Sequence, residues 1–364
     1  MPKTFHAESI SDVQLAVRSS SIIRMVGNGT KEVGTPKSTE SNVLEMNGIH
    51  GIVQYDPSEF TITAKAGTQL RDLSAALAER GQFLPFDPPL INQGATLGGL
   101  VASGISGPSR LRFGSVRDFV LGVQYVDGLG ALARAGGKVV KNAAGFDIPK
   151  LMVGSWGELG ALVEITLKVF PKPFEYCTVK IENSDIQGVI SQLHQFIRSS
   201  LDIEALDIDE SQSLLIRLGG LPEAMHAGEH RVSEISGSKC TKTFYDNEDA
   251  NHWLPLLDWS WPHPREHLVR VPLTTASILV LDAELKNWRA RCRYSVAGNL
   301  AWIAWPIEHS IDKLDKVLKA IGLVGRIVRG GPIDSSRLGP IASDLFASRI
   351  RRALDPEGRF ERRV

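Results

Sequence analysis

The sequence predicts an α+β fold in two domains, and three observations carry the prediction. Helix-period and strand-period segments alternate through the first 90 residues. Glycine, 34 of 364 residues, is concentrated in clusters between Gly94 and Gly160. The character then changes at Pro171 and Pro173, after which six of the seven tryptophans follow. At roughly 150 residues per domain, this length accommodates two domains.

The elements follow in order. Residues 9–19 read as a short helix, with Ser9 or Ser11 as its cap and Val13 and Val17 on one face. SIIRMV is a strand that ends at the loop GNGTK. HGIVQYD and FTITAKAG are strands joined at an Asp56-Pro57 turn. Thr68 is expected to cap a helix striped by Leu70, Leu73 and Leu77, with Gly81 just past its end. VLGVQYV and ALVEITLKVF are β-rich runs between the glycine clusters. Past the prolines, DIQGVISQLHQFIRSS reads as a helix, and SLLIRLGG, EHLVRVPLT and NLAWIAWPIE as strands. The last 25 residues hold a further amphipathic helix, and no internal repeat is visible.

Charge and cysteine content exclude whole classes of function. Lysine plus arginine and aspartate plus glutamate are both 41, so bulk charge does not support nucleic-acid binding. No run of about 18 apolar residues spans a membrane, and MPKTFHAESI has no apolar core that would make it a secretory signal. Cys177, Cys240 and Cys292 are isolated in sequence, which fits reduced thiols in a cytoplasmic protein and no iron–sulfur or zinc site. His226/His230 and His263/His267 have i, i+4 spacing, but Gly228 and Pro264 interrupt them, so both pairs read as solvated loop histidines and no metal is expected.

Two loops point to a ligand. In Gly27-Asn28-Gly29-Thr30-Lys31, successive backbone N–H groups after a strand can form an anion nest, to which Thr30 and Lys31 add. Glu32 stands where GxGxxG needs its third glycine, and no GK[ST] follows, so neither the dinucleotide fingerprint nor the Walker loop applies. In the second loop, Thr96, Gly98, Gly99 and Ser103 interleave small and polar residues, which suits a phosphate chain and a flat ring crossing the backbone. Arg110, Arg112 and Arg117 can clamp a carboxylate, or can pair with Asp118 or a phosphate. WLPLLDWSWP reads as core of the second domain, or else as a ring-binding face or partner interface.

The succession GNGTK, PFDPPLINQGATLGGLVASGISGP, RLRFGSVRDFVLGVQYV and GGKVVKNAAGFDIPKLMVGSWGELGALVEITLKVFPKP resembles the FAD-binding domain of the vanillyl-alcohol-oxidase (PCMH) type. SGP-x-RxRxGSVRDFVLG and KNxAGFD narrow the resemblance to the FAD-binding E-subunit family of bacterial glycolate oxidase (glycolate dehydrogenase). The resemblance implies a two-subdomain PCMH-type FAD-binding domain over residues 1–173, a smaller α+β cap domain over 174–340, and a C-terminal helix and tail, 341–364, returning to the first domain. It implies that Gly27, Asn28, Gly29 and Thr30 cradle the FAD pyrophosphate, and that Thr96, Gly98, Gly99 and Ser103 form a second wall. It places Gly114 and Val116 at flavin contacts, and Gly157, Gly160 and Leu162 on the adenine or ribose side.

Relatives that attach FAD covalently carry histidine where Thr30 stands, so non-covalent FAD is expected. Trp156 replaces a common glutamate, and Phe360-Glu361-Arg362-Arg363 departs from the usual FNPGR tail. The HxGDGNxH motif of the larger catalytic relatives is missing, so no catalytic base or substrate cation is assigned. The resemblance therefore implies an FAD-binding subunit of a complex oxidising a 2-hydroxy acid. A larger flavin subunit and an iron–sulfur subunit would be its partners, in the cytoplasm and at the inner face of the membrane through those partners. A free-standing flavoenzyme and a non-redox scaffold are the alternatives.

Overall fold

The computed structural model describes residues 2–31, 41–137, 146–183, 185–237, 240–330, 335–340 and 345–362. Lys141–Gly145 of the KNAAG segment, Glu32 and Arg363 lie outside the described residues. The fold is mixed α+β, as expected, and the chain divides into two compact units.

The first unit comprises Met1–Ser106, Gly114–Lys172 and Ala342–Val364. Its strands are β1 (Thr4–His6), β2 (Ile23–Val26), β3 (Asn42–Glu45), β4 (Ile52–Asp56), β5 (Thr61–Lys65), β6 (Gln82–Phe83), β7 (Val120–Val126), β8 (Leu132–Gly136), β9 (Ala161–Lys168) and β10 (Phe170–Pro171). A parallel sheet runs β1-β3-β2, an antiparallel sheet runs β4-β5-β9-β7-β8, and β6 pairs with β10.

Helix Ile10–Arg18 makes the crossover between β1 and β2. Ser9 starts it with a full capping box: its side chain accepts from the Asp12 amide, and Asp12 accepts the Ser9 amide at 2.8 Å. Val13, Ala16 and Val17 then bury against Ile23, Leu44 and Met46 in one core cluster. Phe360 of the tail closes the same cluster. Its flanking backbone adds to β2, with the Ile23 amide donating to Arg359 O at 2.7 Å and the Glu361 amide to Ile23 O at 3.0 Å.

The helix with Leu70, Leu73 and Leu77 buried runs Leu70–Ala78, but Thr68 does not cap it. The cap position is Gln69, which makes no side-chain cap bond, while the Thr68 hydroxyl accepts the Gly51 amide at 2.9 Å. The hydroxyl is spent on tying the loop before β4 rather than on the helix.

The second unit comprises Gly107–Phe113 and Pro173–Ile341. It is built on β11 (Glu175–Ile181), β12 (Ile203–Ile208), β13 (Leu214–Gly220), β14 (Cys240–Tyr245), β15 (Glu266–Pro272), β16 (Arg291–Ser295), β17 (Leu300–Pro306), β18 (Gly325–Arg329) and β19 (Arg337–Leu338). They form one antiparallel sheet in the order β14-β11-β13-β12-β16-β17-β15-β18-β19.

This order contains a repeat that the sequence does not show. The chain runs βαββαβ through β11–β14, with helices Ile186–Ile197 and Pro222–Ser236, and again through β15–β18, with helices Ile278–Asn287 and Ile311–Ile321. The two halves are laid out in mirrored order and meet at β12 and β16, where one registered pair, Ile208 with Tyr294, joins them. Topology is repeated although residue identities are not.

HAGEH lies within helix Pro222–Ser236, contrary to the loop expected from Gly228. Gly228 is tolerated because the Leu218 side chain packs where its Cβ would stand. His226 and His230 are exposed on that helix. His267 is no loop residue either; it is buried on β15 opposite Trp305. Among the described residues no cluster of metal-ligating groups occurs, and no helix is long and apolar enough to cross a membrane. Trp253, Leu256, Trp259 and Trp261 of the tryptophan-rich run are buried core. Cys177 and Cys292 are free thiols, both pushed up by burial, Cys177 to about 12.

Candidate functional site

The first unit contains a cleft of about 760 Å³, including its open mouth. Three loops converge on it. Gly27–Lys31 leaves the end of β2, and Gly29 adopts φ +68°, which its missing Cβ permits. The Asn28 side-chain amide donates to Gly94 O at 2.8 Å and ties this loop to the second. The second loop begins helix Leu97–Ser103, where Thr96 is the cap and accepts the Gly99 amide at 3.2 Å. The third, around Trp156 and Gly157, is held to the same helix through Trp156 N–H to Ala102 O at 2.8 Å.

Eleven of the thirteen residues expected at the cofactor line this cleft: Gly27, Asn28, Gly29 and Thr30 of the first loop, Thr96, Gly98, Gly99 and Ser103 of the second loop and its helix, and Gly157, Gly160 and Leu162 at and after the third. Met25, Met46, Ala66 and Ala102 complete an apolar lining. Gly114 and Val116 do not line it. A Cβ on Gly114, at φ +95°, would meet the Asp118 carboxylate at 2.8 Å. Asp118 is committed to capping by accepting the Ser115 amide at 2.8 Å. Val116 is fully buried and donates to Ser106 Oγ at 3.0 Å. Their places are set by helix Val116–Phe119 and its cap.

The second loop shapes the cleft by what it lacks. The Gly98 amide donates to Ala66 O at 2.7 Å, the Leu97 amide to Thr68 O at 2.9 Å and the Gly99 amide to Thr96, so these three donors are spent within the protein. A Cβ on Gly98 would stand 3.0 Å from Ala66 Cβ, and one on Gly27 would collide with the Thr96 hydroxyl. The glycines provide close backbone approach, and Ser103 turns its hydroxyl back to Leu100 O at 3.0 Å.

Positive charge comes from Lys31, which lines the cleft with 8% of its surface exposed. Its Nζ is buried and has no hydrogen-bond partner among the described residues. Burial pulls its pKa down to about 8. A buried ammonium without a partner is costly, and an anion in the cleft would satisfy it. Sequence reading named Lys31 only as an addition to the nest, because burial has no local sequence signal.

Arg112 pairs with Asp202 at 2.5 Å in the second unit, and Asp118 is taken by its cap.

A largely apolar cleft lined by glycine backbone, with a buried ammonium that has no hydrogen-bond partner among the described residues, fits an elongated anionic cofactor with a flat ring. The family model for the FAD binding domain matches residues 3–136, which indicates FAD as the cofactor. The chain belongs to the family of glycolate oxidase subunit GlcE: it is 41% identical to that subunit of Escherichia coli K12 over 357 residues, 96% of this chain and 94% of the relative. It is also 30% identical to glycolate oxidase subunit GlcD of Bacillus subtilis over 52% of this chain and 40% of that protein. A D-lactate dehydrogenase of Anaerostipes hadrus matches at 28% over 57% of this chain and 43% of that protein. Among solved structures, alkyldihydroxyacetonephosphate synthase has the same fold, with a TM-score of 0.70 at 17% identity, covering 98% of this chain and 76% of that one.

Proposed function

We propose that this chain is the FAD-binding subunit of a glycolate oxidase-type complex, holding FAD non-covalently and exchanging electrons with a larger flavin subunit and an iron–sulfur subunit in the cytoplasm. The Lys31 ammonium, without a hydrogen-bond partner among the described residues in a glycine-lined cleft, carries the cofactor reading, and likeness to GlcE along nearly the whole chain carries the choice of complex.

When bound, FAD accepts a hydride or electrons that the side chains themselves cannot take up. The protein supplies placement and charge. Gly27, Asn28, Gly29 and Thr30, with Lys31, would hold the pyrophosphate, and Thr96, Gly98, Gly99 and Ser103 would lie against the chain and ring. Gly157, Gly160 and Leu162 would close the adenine side. Met25, Met46 and Leu162 keep water from that surface. Thr30 offers no nitrogen for a flavin bond, which supports non-covalent attachment. The free thiols Cys177 and Cys292 accord with a reducing compartment and, with Cys240 far from both in sequence, with clusters residing in a partner.

Acid precipitation of the yellow protein tests attachment: free FAD should stay in the supernatant and the pellet should be colourless. Flavin retained in the pellet would refute the non-covalent mode, and protein purified without flavin would refute the cofactor.

A further inference from the structure

We propose that Trp156 packs its indole against the adenine ring of FAD and so makes the cleft select FAD over FMN. The inference rests on the function proposed above, which assigns the adenine side of the cleft, and adds to it a residue that sets cofactor choice.

Trp156 is the only tryptophan of the first unit. It is also the one aromatic side chain among the described residues that line the cleft. A cofactor with two flat rings therefore meets a single aromatic surface there, and stacking of a base on such a surface is a substantial source of affinity. Trp156 is half-buried, so part of its surface is open. Where relatives commonly carry glutamate, whose ionised carboxylate only accepts hydrogen bonds, the indole brings an apolar face and an N–H donor.

The backbone holds this side chain in a set direction. Trp156 has φ +54°, in the left-handed region that favours glycine, and of the ten described non-glycine residues with positive φ it alone lines the cleft. A bulky residue keeps such a conformation only where its surroundings over-determine it. Here the Trp156 amide donates to Ala102 O at 2.8 Å, the Gly154 amide to Val101 O at 3.0 Å and the Glu158 amide to Ser155 O at 2.9 Å. Glu158 is paired in turn with Arg351 at 3.1 Å. Gly154 and Gly157, at φ +80° and +84°, turn the chain on either side. The loop therefore fixes the Cα–Cβ direction of Trp156.

Its place along the cleft suits a ring set away from the pyrophosphate. The first loop meets helix Leu97–Ser103 at its start, where Gly27 lies against Thr96, whereas Trp156 is tied near its end, at Ala102. At 1.5 Å per residue those two points are about 9 Å apart along the helix axis. A Cβ on Gly157 would stand 3.1 Å from Met25 Cε, so the bare glycine lets Met25 close in beside the Trp156 loop.

The test strips flavin from the full chain and measures its affinity for FAD and for FMN, which lacks the adenine, by flavin fluorescence. The parent should bind FAD more tightly than FMN. Trp156→Ala should lose about tenfold in FAD affinity and leave FMN affinity unchanged, while Trp156→Phe, which keeps an aromatic face, should retain most of the FAD affinity. ADP should alter the tryptophan emission of the parent and not that of Trp156→Phe. An equal loss for FAD and FMN is what a packing role, or a place beside the flavin ring, would give, and it would overturn the proposal. So would unchanged FAD affinity in Trp156→Ala, or an ADP response that survives intact in Trp156→Phe. Those three results leave the cofactor reading standing, whereas a parent that binds neither flavin would refute that reading and this inference with it.

Discussion

Gly27 and Thr96 meet where the first and second loops line the cleft, so closely that a methyl group on Gly27 would collide with the Thr96 hydroxyl. That hydroxyl caps helix Leu97–Ser103 through the Gly99 amide. One missing side chain therefore lets a strand end lie against a helix start and leaves a trough between them.

Gly27→Ala should force Thr96 aside, cost about 1–3 kcal/mol, and empty the cleft. The ratio of flavin to protein absorbance after purification should fall strongly, while circular dichroism stays native.

Lys31 predicts two pH effects of opposite sign. Burial lowers its pKa from 10.5 to about 8, so between those values the unfolded chain holds more protons than the folded one. Stability of the flavin-free protein should therefore rise with pH across that interval. Affinity for FAD should fall above about pH 8 as the ammonium is lost. In Lys31→Met both slopes should flatten and FAD binding should weaken, as measured by denaturant titration and by quenching of flavin fluorescence.

Arg351, on the C-terminal helix Leu345–Leu354, pairs with Glu158 beside Gly157 at 3.1 Å, and both side chains are largely buried. Arg351→Ala removes a partner of that buried carboxylate and should cost about 3 kcal/mol. Arg351→Met with Glu158→Gln should recover most of the loss in urea unfolding.

In the second unit Asp249, 1% exposed, accepts the Thr178 hydroxyl at 2.6 Å and Arg217 at 2.6 Å, while Trp253 donates to Thr178 at 2.8 Å. Asp249→Ala should destabilise by about 3–5 kcal/mol. Flavin content should be unchanged after refolding, because the cleft lies in the other unit.

Elements with strong periodicity or local punctuation were readable from sequence. Ser9, one of the two caps read from sequence, starts its helix, and Asp56-Pro57 marks its turn. The cleft was readable because glycines that permit close approach are local: Gly27, Gly98 and Gly157 lie where motif spacing puts them. Gly114 lies outside that lining, beside the capping box of helix Val116–Phe119. Gly228 misled, since a single helical glycine is repaid by packing against Leu218. The burial of Lys31 carries no local signal, because it depends on which distant loops close the cleft around it. The doubled βαββαβ topology was hidden for a similar reason: strand order is fixed by long-range pairing, and the two halves share no residue pattern.

The most direct test is an anaerobic absorbance spectrum of the purified chain before and after glycolate, then after adding its partner subunits. An oxidised flavin spectrum that glycolate alone leaves unchanged, and that bleaches once the partners are present, is the predicted result. Bleaching by glycolate alone would make the chain a complete enzyme and contradict its role as an accessory flavin subunit, and a colourless protein would contradict the flavin itself.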